Sequence, residues 1–367
     1  MTDTTDIEKI IKQFALYGDL VSVKGFGSGH INNTYVSTFN QGGIELRYTH
    51  QRINKTVFTK PNQVMENIVH VTEHIQNKLK SEKFKDVSQR TLTVIHTHEG
   101  LPYYVDSNGD YWRTYLFIDH VKTFDFLTDA PLAYTLGEAI GVFQNQLSDY
   151  TGPRLYDTIP QFHNMKFRYQ QLEEALKRDS KKRASNIQKE LAFLQENKER
   201  GMVLVEGLES GKLKEGITHN DTKINNLLFS EQDNSVLCVI DLDTVMPGTI
   251  LFDTGDLIRT ATITGAEDEQ DLTKIDFNFD LFKSLIEGYL SIAKSFLTAY
   301  EISLLAESGR NITQIMAVRF LTDYLNGDLY YKTTREHHNL DRARTQIKFI
   351  QSLDSQWANI EQFITSL

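Results

Sequence analysis

A single cysteine, Cys238, stands in 367 residues, which excludes an intramolecular disulfide framework and a Cys-rich zinc site. Such sparing use fits a reducing compartment, and a cytoplasmic location is the expectation. Basic residues are the minority charge: 39 Lys and Arg against 49 Asp and Glu, a net charge of −10. That balance argues against a chain that coats nucleic acid or anionic lipid. Long apolar runs are missing as well, and nothing approaches the ~18 residues that a membrane-spanning helix needs. The opening MTDTTDIEKIIKQF carries early acids and no basic region ahead of an apolar core, unlike a secretory signal. What is present is an ordinary globular balance, 40% apolar and 24% charged. The length suits two or three compact units.

The first ~120 residues are rich in strand signals. After an amphipathic helix over roughly 5–17, strands are predicted at 20–26, 33–39 and 44–53, with Asn40-Gln41-Gly42-Gly43 as a hairpin turn. Val64, Ile68, Val71, Ile75 and Leu79 recur at steps of three and four, so 61–80 is predicted as a helix with Pro61 in its first turn. Further strands are expected at 91–95, 102–106 and 111–118. From 119 onward helices are predicted at about 129–149, 165–178, 184–200, 275–294, 297–309, 310–325 and 339–365. The Lys- and Arg-rich stretch 177–200 is interleaved with acids and reads as a solvated helical face. One β island interrupts the helices: Leu227-Leu228-Phe229, a polar turn, then Val236 to Ile240. The expected fold class is α+β, with a β-rich part at 1–118 carrying one main helix and a larger, mostly helical part at 119–367.

Three stretches carry chemistry. His219-Asn220-Asp221-Thr222-Lys223-Ile224-Asn225-Asn226 has the spacing H-x-D-x-K-x-x-N directly ahead of a strand. A carboxylate can orient an acceptor hydroxyl, an amide oxygen five residues on can hold a divalent cation, and an ammonium two residues on can sit over a transferring phosphate. Read blandly, the same residues are a polar loop that satisfies its own backbone amides. Cys238-Val239-Ile240-Asp241-Leu242-Asp243 is a strand ending in two carboxylates, and the hairpin it forms with Leu227–Phe229 returns Asp241 beside Asn226. Asn226 and Asp241 make a hard oxygen pair suited to Mg²⁺, which takes few protein ligands and fills its shell with phosphate and water. Lys24-Gly25-Phe26-Gly27-Ser28-Gly29-His30-Ile31-Asn32 sets three alternating glycines between two strands, so that backbone amides can approach phosphate oxygens. A plain hairpin turn accounts for the glycines equally well.

These stretches resemble the aminoglycoside phosphotransferase and choline kinase superfamily, whose fold is bilobal and protein-kinase-like; the resemblance spans about residues 20–330. Gly29-His30-Ile31-Asn32-Asn33-Thr34-Tyr35-Val36, His219 to Asn226, and Ile240-Asp241-Leu242-Asp243-Thr244-Val245-Met246-Pro247-Gly248 are most similar to one branch, the N-acetylhexosamine 1-kinases. The resemblance implies transfer of the ATP γ-phosphate to an anomeric hydroxyl with Mg²⁺. It makes Asp221 the catalytic base, sets Lys223 near the γ-phosphate and gives Asn226 and Asp241 to the metal. Asp253 and Asp256 would brace the catalytic loop and start the next helix, where acids are favoured. Gly27, Ser28, Gly29 and Asn32 would meet the nucleotide phosphates, and Phe117 and Ile118 on a hinge strand the adenine. Arg52 stands where most of the superfamily has a phosphate-binding Lys. The sugar would meet His30, Asp221, Thr244, Arg319 and Tyr330. An arginine in an apolar helix is rarely buried unpaired, and the bland alternative for Arg319 is a buried salt bridge to Asp323 or Asp328. For Tyr330, helix packing is the bland alternative. His163 reads as a satisfied core histidine and His337-His338 as an exposed pair.

Two readings from other classes remain. Asp241-Leu242-Asp243-Thr244-Val245 also fits the first motif of haloacid-dehalogenase-type phosphohydrolases, with Asp241 as nucleophile. An inactive pseudokinase that only binds has its foothold in the Arg52 departure. Within kinases, an amino alcohol or a polycationic antibiotic is the alternative acceptor, and Glu267-Asp268-Glu269-Gln270-Asp271 the acids that would meet it. The expected partners are a sugar and a nucleotide, with no nucleic acid or membrane, and a monomer is compatible with all of this.

Overall fold

The structure is a computed structural model that describes residues 4–27, 32–127 and 129–367. In chain order it runs α1 (Thr4–Ile11), β1 (Asp19–Gly25), β2 (Asn33–Gln41), β3 (Ile44–Arg52), α2 (Pro61–Ser81) and the single turn α3 (Val87–Arg90). Short strands β4 (Val94–Ile95), β5 (Tyr104–Val105), β6 (Tyr111–Leu116) and β7 (Val121–Lys122) follow. Next come α4 (Ala130–Leu147), α5 (Met165–Arg178), α6 (Gln188–Glu196), α7 (Val203–Glu209), β8 (Gly216–Thr218), β9 (Leu227–Ser230), β10 (Val236–Val239) and β11 (Met246–Gly248). The chain ends in α8 (Leu251–Ala261), α9 (Phe279–Ala293), α10 (Ala299–Ser303), α11 (Leu305–Asn326), α12 (His338–Ser355) and α13 (Trp357–Thr365). It folds as two compact units. The first comprises residues through 123 with 149–160 and 226–246; the second comprises 124–148, 161–225 and 247–367.

The first unit is built on an antiparallel sheet in the order β1-β2-β3-β6-β4, with β5 also paired to β6. Nine consecutive pairs lock β2 to β3, from Asn33↔Arg52 to Gln41↔Ile44. The Gly42-Gly43 turn closes them, and the Gly43 amide donates to Asn40 Oδ1 at 2.8 Å. Ile7, Ile10, Ile11 and Phe14 pack with Phe39, Tyr48 and Trp112 in one apolar cluster. The predicted stripe on α2, Val64, Ile68, Val71, Ile75 and Leu79, is buried throughout. Buried Asn67 on the same helix donates to the carbonyls of Tyr156 and Val245 at 2.8 and 2.9 Å and accepts the Tyr156 amide at 2.9 Å. Those bonds tie two later segments into this unit. The β9–β10 hairpin joins it through β7, which pairs with β9 at Val121↔Ser230 and Lys122↔Phe229.

The second unit is helical. Caps stop and start its elements where the sequence supplies them: Asp129 accepts the Leu132 amide at 2.9 Å and Asn278 the Leu281 amide at 3.0 Å. Helices α4 and α9 approach so closely that a Cβ at Gly137 would lie 2.0 Å from the Leu285 carbonyl oxygen. Gly137→Ala is therefore expected to cost about 3 kcal/mol, read as a lower urea midpoint at an unchanged slope.

Several helix boundaries differ from the periodicity reading. The expected helices at 297–309 and 310–325 are one helix, α11, preceded by the short α10. Gly309 does not break it, because a Cβ there would lie 2.5 Å from Ile258 Cγ2: the glycine serves close packing against α8. The stretch 184–200 is interrupted, and α7 follows it unforeseen. The helix expected at 339–365 divides at Gln356. Helix α8 was not visible as a stripe because nearly every position on it, Asp253 and Asp256 included, is buried. His338 is not exposed: it is buried and its Nε2 lies 2.8 Å from Asp268 Oδ2. No described helix is long and apolar enough to cross a membrane.

Candidate active site

In the second unit, β8 delivers the His219–Lys223 loop, and Asp253 on the first turn of α8 holds it. The Asp253 carboxylate accepts the His219 amide at 3.1 Å and the Asn220 amide at 2.7 Å, while its carbonyl accepts Thr222 Oγ1 at 2.6 Å. Gln144 donates to the same carboxylate at 3.3 Å and is itself oriented by the Tyr289 hydroxyl at 2.6 Å. Burial raises the Asp253 carboxyl above the usual carboxylate range, opposed by His219 and by these amide donors. Asn220 sits in the left-handed region at φ 67°, which an asparagine tolerates, and so turns the chain to present Asp221. The Asp221 amide donates to His219 Nδ1 at 3.2 Å, and Lys223 Nζ lies 2.9 Å from Asp221 Oδ2. Asp221 and Lys223 stay partly exposed. Asp256 is a core ion pair instead, 2.8 Å from Arg259.

Behind this loop lies a cluster rich in arginine and aromatic rings, also within the second unit. His163 Nε2 donates to the Asn220 carbonyl at 3.2 Å, whereas its buried Nδ1 has no partner among the described residues. Burial, followed by the charge of Arg319, holds its pKa down at about 3. Arg319 does not pair with Asp323 or Asp328. Asp323 accepts the backbone amides of Leu329, Tyr330 and Tyr331, and Asp328 pairs with Arg183 at 2.6 Å. The Arg319 guanidinium instead faces the rings of Phe162, Tyr331 and Tyr330 at 4.7, 5.5 and 5.7 Å. Tyr330 is half exposed beside it.

The first unit carries the metal-type residues. Register Leu227↔Val239 puts Asn226 across from Ile240, whose amide donates to the Asn226 carbonyl at 2.9 Å. Asp241 follows immediately, with φ 62°. An amide oxygen and a carboxylate made adjacent by a two-stranded hairpin fit Mg²⁺. Among the described residues no group of three or more His, Cys, Asp or Glu forms a closed metal cage. Asp243 has another place. Both its oxygens are spent: Oδ1 on Arg113, and Oδ2 on Asn32 Nδ2 at 2.7 Å. Arg113 Nε donates to Gln51 at 2.9 Å, Gln51 to Thr34 at 3.1 Å, and the Asn54 amide to Asn32 Oδ1 at 3.0 Å. Burial alone would lower the Arg113 pKa, but Asp243 outweighs it and holds it above the ordinary value.

Of the remaining predicted nucleotide residues, Arg52 Nη1 lies 3.3 Å from Asp110 in the turn before β6. The Phe117 amide donates to the Arg47 carbonyl at 3.0 Å, with the Phe26 ring 5.7 Å from its own ring, and Ile118 is buried. Gly27 is exposed at φ 74°, and Thr244 is buried in the turn after Asp241. Ser28, Gly29 and His30 lie outside the described residues. Arg113 and Asp243 were not singled out as a pair. The only signal was a charge inside the apolar run Tyr111–Leu116, and its partner is 130 positions away.

The profile of the phosphotransferase enzyme family matches residues 23–283, well over half of the chain. The chain belongs to that family. As a phosphotransferase it has fold neighbours throughout its length. An aminoglycoside phosphotransferase from Alicyclobacillus acidocaldarius subsp. acidocaldarius is similar at TM-score 0.63 and 12% identity, covering 98% of this chain and 96% of its own. A microcompartment-associated aminopropanol kinase follows at 0.61 and 14%, covering 98% and 99%. A choline kinase from Cryptosporidium parvum Iowa II is similar at 0.60 and 16%, covering 99% and 100%. The fold of this phosphotransferase is thus bilobal and protein-kinase-like, as expected. The haloacid-dehalogenase reading is set aside by the family match over residues 23–283, and the second carboxylate of that motif, Asp243, is held by Arg113 and Asn32.

Proposed function

We propose that the protein is an ATP- and Mg²⁺-dependent kinase that phosphorylates the anomeric C1 hydroxyl of N-acetylhexosamines. Asp221 accepts or orients the proton of the acceptor hydroxyl, and Lys223 steadies charge on the transferring phosphoryl group. Asn226 and Asp241 hold Mg²⁺, which supplies charge neutralisation for the nucleotide phosphates. The nucleotide is assigned to residues 1–118, with Gly27, Ser28, Gly29, Asn32 and Arg52 toward the phosphates and Phe117 and Ile118 toward the base. Residues 119–367 carry the catalytic loop and the acceptor residues His30 aside: Thr244, Arg319 and Tyr330. ATP as cosubstrate fits a cytoplasmic location. An anomeric hydroxyl is more acidic than an ordinary alcohol, so positioning and charge neutralisation do most of the work.

The observation that carries the acceptor reading is Arg319. It has rings for walls and no carboxylate partner among the described residues, and the same aromatic turn reaches the Asp221 loop through His163. Such a wall suits the C–H faces and hydroxyl oxygens of a sugar. The second reading, an amine-bearing acceptor like those named for the aminopropanol and choline kinases, asks for exposed acids. The acids at 267–271 are already used: Glu267 pairs with Arg259, Asp268 with Arg335 and Glu269 with Lys274. Retention of Asp221, Asn226 and Asp241 argues against a binding-only pseudokinase.

The test is ATP consumption across sugars, amino alcohols and aminoglycosides, with the phosphorylated carbon located by NMR. The expected product is an N-acetylhexosamine 1-phosphate. Turnover of choline or an antibiotic with none of any N-acetylhexosamine would remove the acceptor reading and leave the kinase reading standing.

A further inference from the structure

We infer that Arg168 is a specificity-determining residue that restricts this kinase to acceptors without positive charge. The inference deepens the acceptor reading above and rests on its placing of the acceptor beside Arg319, not on the acetamido group. Arg168 lies on α5 and is buried. Its guanidinium is spent on neutral oxygens: Nε and Nη2 donate to the Phe162 carbonyl at 3.0 and 2.6 Å, and Nη1 to Gln171 Oε1 at 2.8 Å. Arg319 stands over the ring of the same Phe162 at 4.7 Å. One residue therefore carries a guanidinium on its carbonyl and a second on its ring.

Among the described residues neither guanidinium pairs with a carboxylate. Asp323 is occupied by three backbone amides and by Asn339 Nδ2 at 2.9 Å, and Asp328 by Arg183 and Asn339. Burial, and then the charge of Arg319, brings the Arg168 pKa down to about 9. The Asp221 carboxylate pairs with Lys223, and its charge is also felt at His163. Two buried polar atoms in this cluster also lack protein partners, His163 Nδ1 and the Tyr331 hydroxyl. A neutral polyol can hydrogen-bond to such atoms without adding charge. A cation placed here would face two guanidiniums that have no paired carboxylate among the described residues, in a poorly solvated site. At an effective dielectric near 20, one like charge at a separation of several ångströms corresponds to a loss of roughly one to two orders of magnitude.

The test compares kcat/KM for N-acetylglucosamine with that for glucosamine, the same ring bearing an ammonium at pH 7, in the wild type, Arg168→Lys and Arg168→Gln. The acetamido contact is common to all three proteins, so the change in the ratio isolates charge. We expect a preference of roughly 10- to 100-fold in the wild type. It should be kept by Arg168→Lys and reduced several-fold by Arg168→Gln. A purely structural role would lower both substrates together and leave the ratio unmoved, which overturns the inference. Should Arg168→Gln not fold, the wild-type ratio measured upward through the glucosamine amine pKa decides: narrowing supports the charge rule, and a constant ratio overturns it. Exclusive use of a neutral hexose lacking the acetamido group would remove the N-acetylhexosamine reading and still support this one.

Discussion

Asp221→Asn is expected to lower kcat by about 10³- to 10⁴-fold, the scale of a lost general base that also positions the acceptor. The asparagine keeps the shape of the side chain but cannot take the proton or balance the Lys223 ammonium 2.9 Å away. Stability should not change, because the loop is braced from behind. Asp253 takes the His219 and Asn220 amides, and Asp221 itself is partly exposed. The thermal midpoint should therefore stay within about a degree, and the KM for ATP should move little, since the role proposed for Asp221 is toward the acceptor. Steady-state kinetics with matched calorimetry separate the two. Wild-type turnover in the variant would remove Asp221 from the mechanism.

Arg113→Met carries the largest expected effect on stability. It strips the counter-charge from Asp243, whose carboxylate is buried and would keep only Asn32. Breaking a buried pair by removing one partner typically costs about 3–5 kcal/mol. The measurement is the urea midpoint at unchanged slope. Arg113→Met with Asp243→Leu should recover most of the loss, because no charge is then left buried, so the two changes must be strongly non-additive. Additive losses would show that the pair is not what Arg113 contributes. The same pair bears on the proposed metal site, for which only one of the two carboxylates after the Val236–Val239 strand is then available. Asp243 is held by Arg113 and Asn32, which leaves Asp241 as the carboxylate next to Asn226.

Much of this site was legible because it is local. The five-residue step from Asp221 to Asn226 and the hairpin that returns Asp241 to Asn226 are contained in fewer than thirty consecutive residues. The place of Asp241 beside Asn226 follows from strand register and loop length. The α2 stripe was legible for a related reason: a helix buried on one face writes its period into the sequence. Helix α8 was not, because a helix buried on every side has no period to show.

By itself, then, the sequence determined which side chains are available for phosphoryl transfer and the local turns that present them, since backbone sterics and register act over a few residues. Tertiary structure alone decided the pairings across distance. It put Arg113 on Asp243, aromatic rings rather than Asp323 or Asp328 around Arg319, and Gly309 within a continuous helix against Ile258. The physical reason is common to all three. Burial makes an unpaired charge or amide costly and leaves no room for a surplus methyl group, so each residue takes the partner that packing brings to it. Nothing in the spacing of the chain encodes which partner that is.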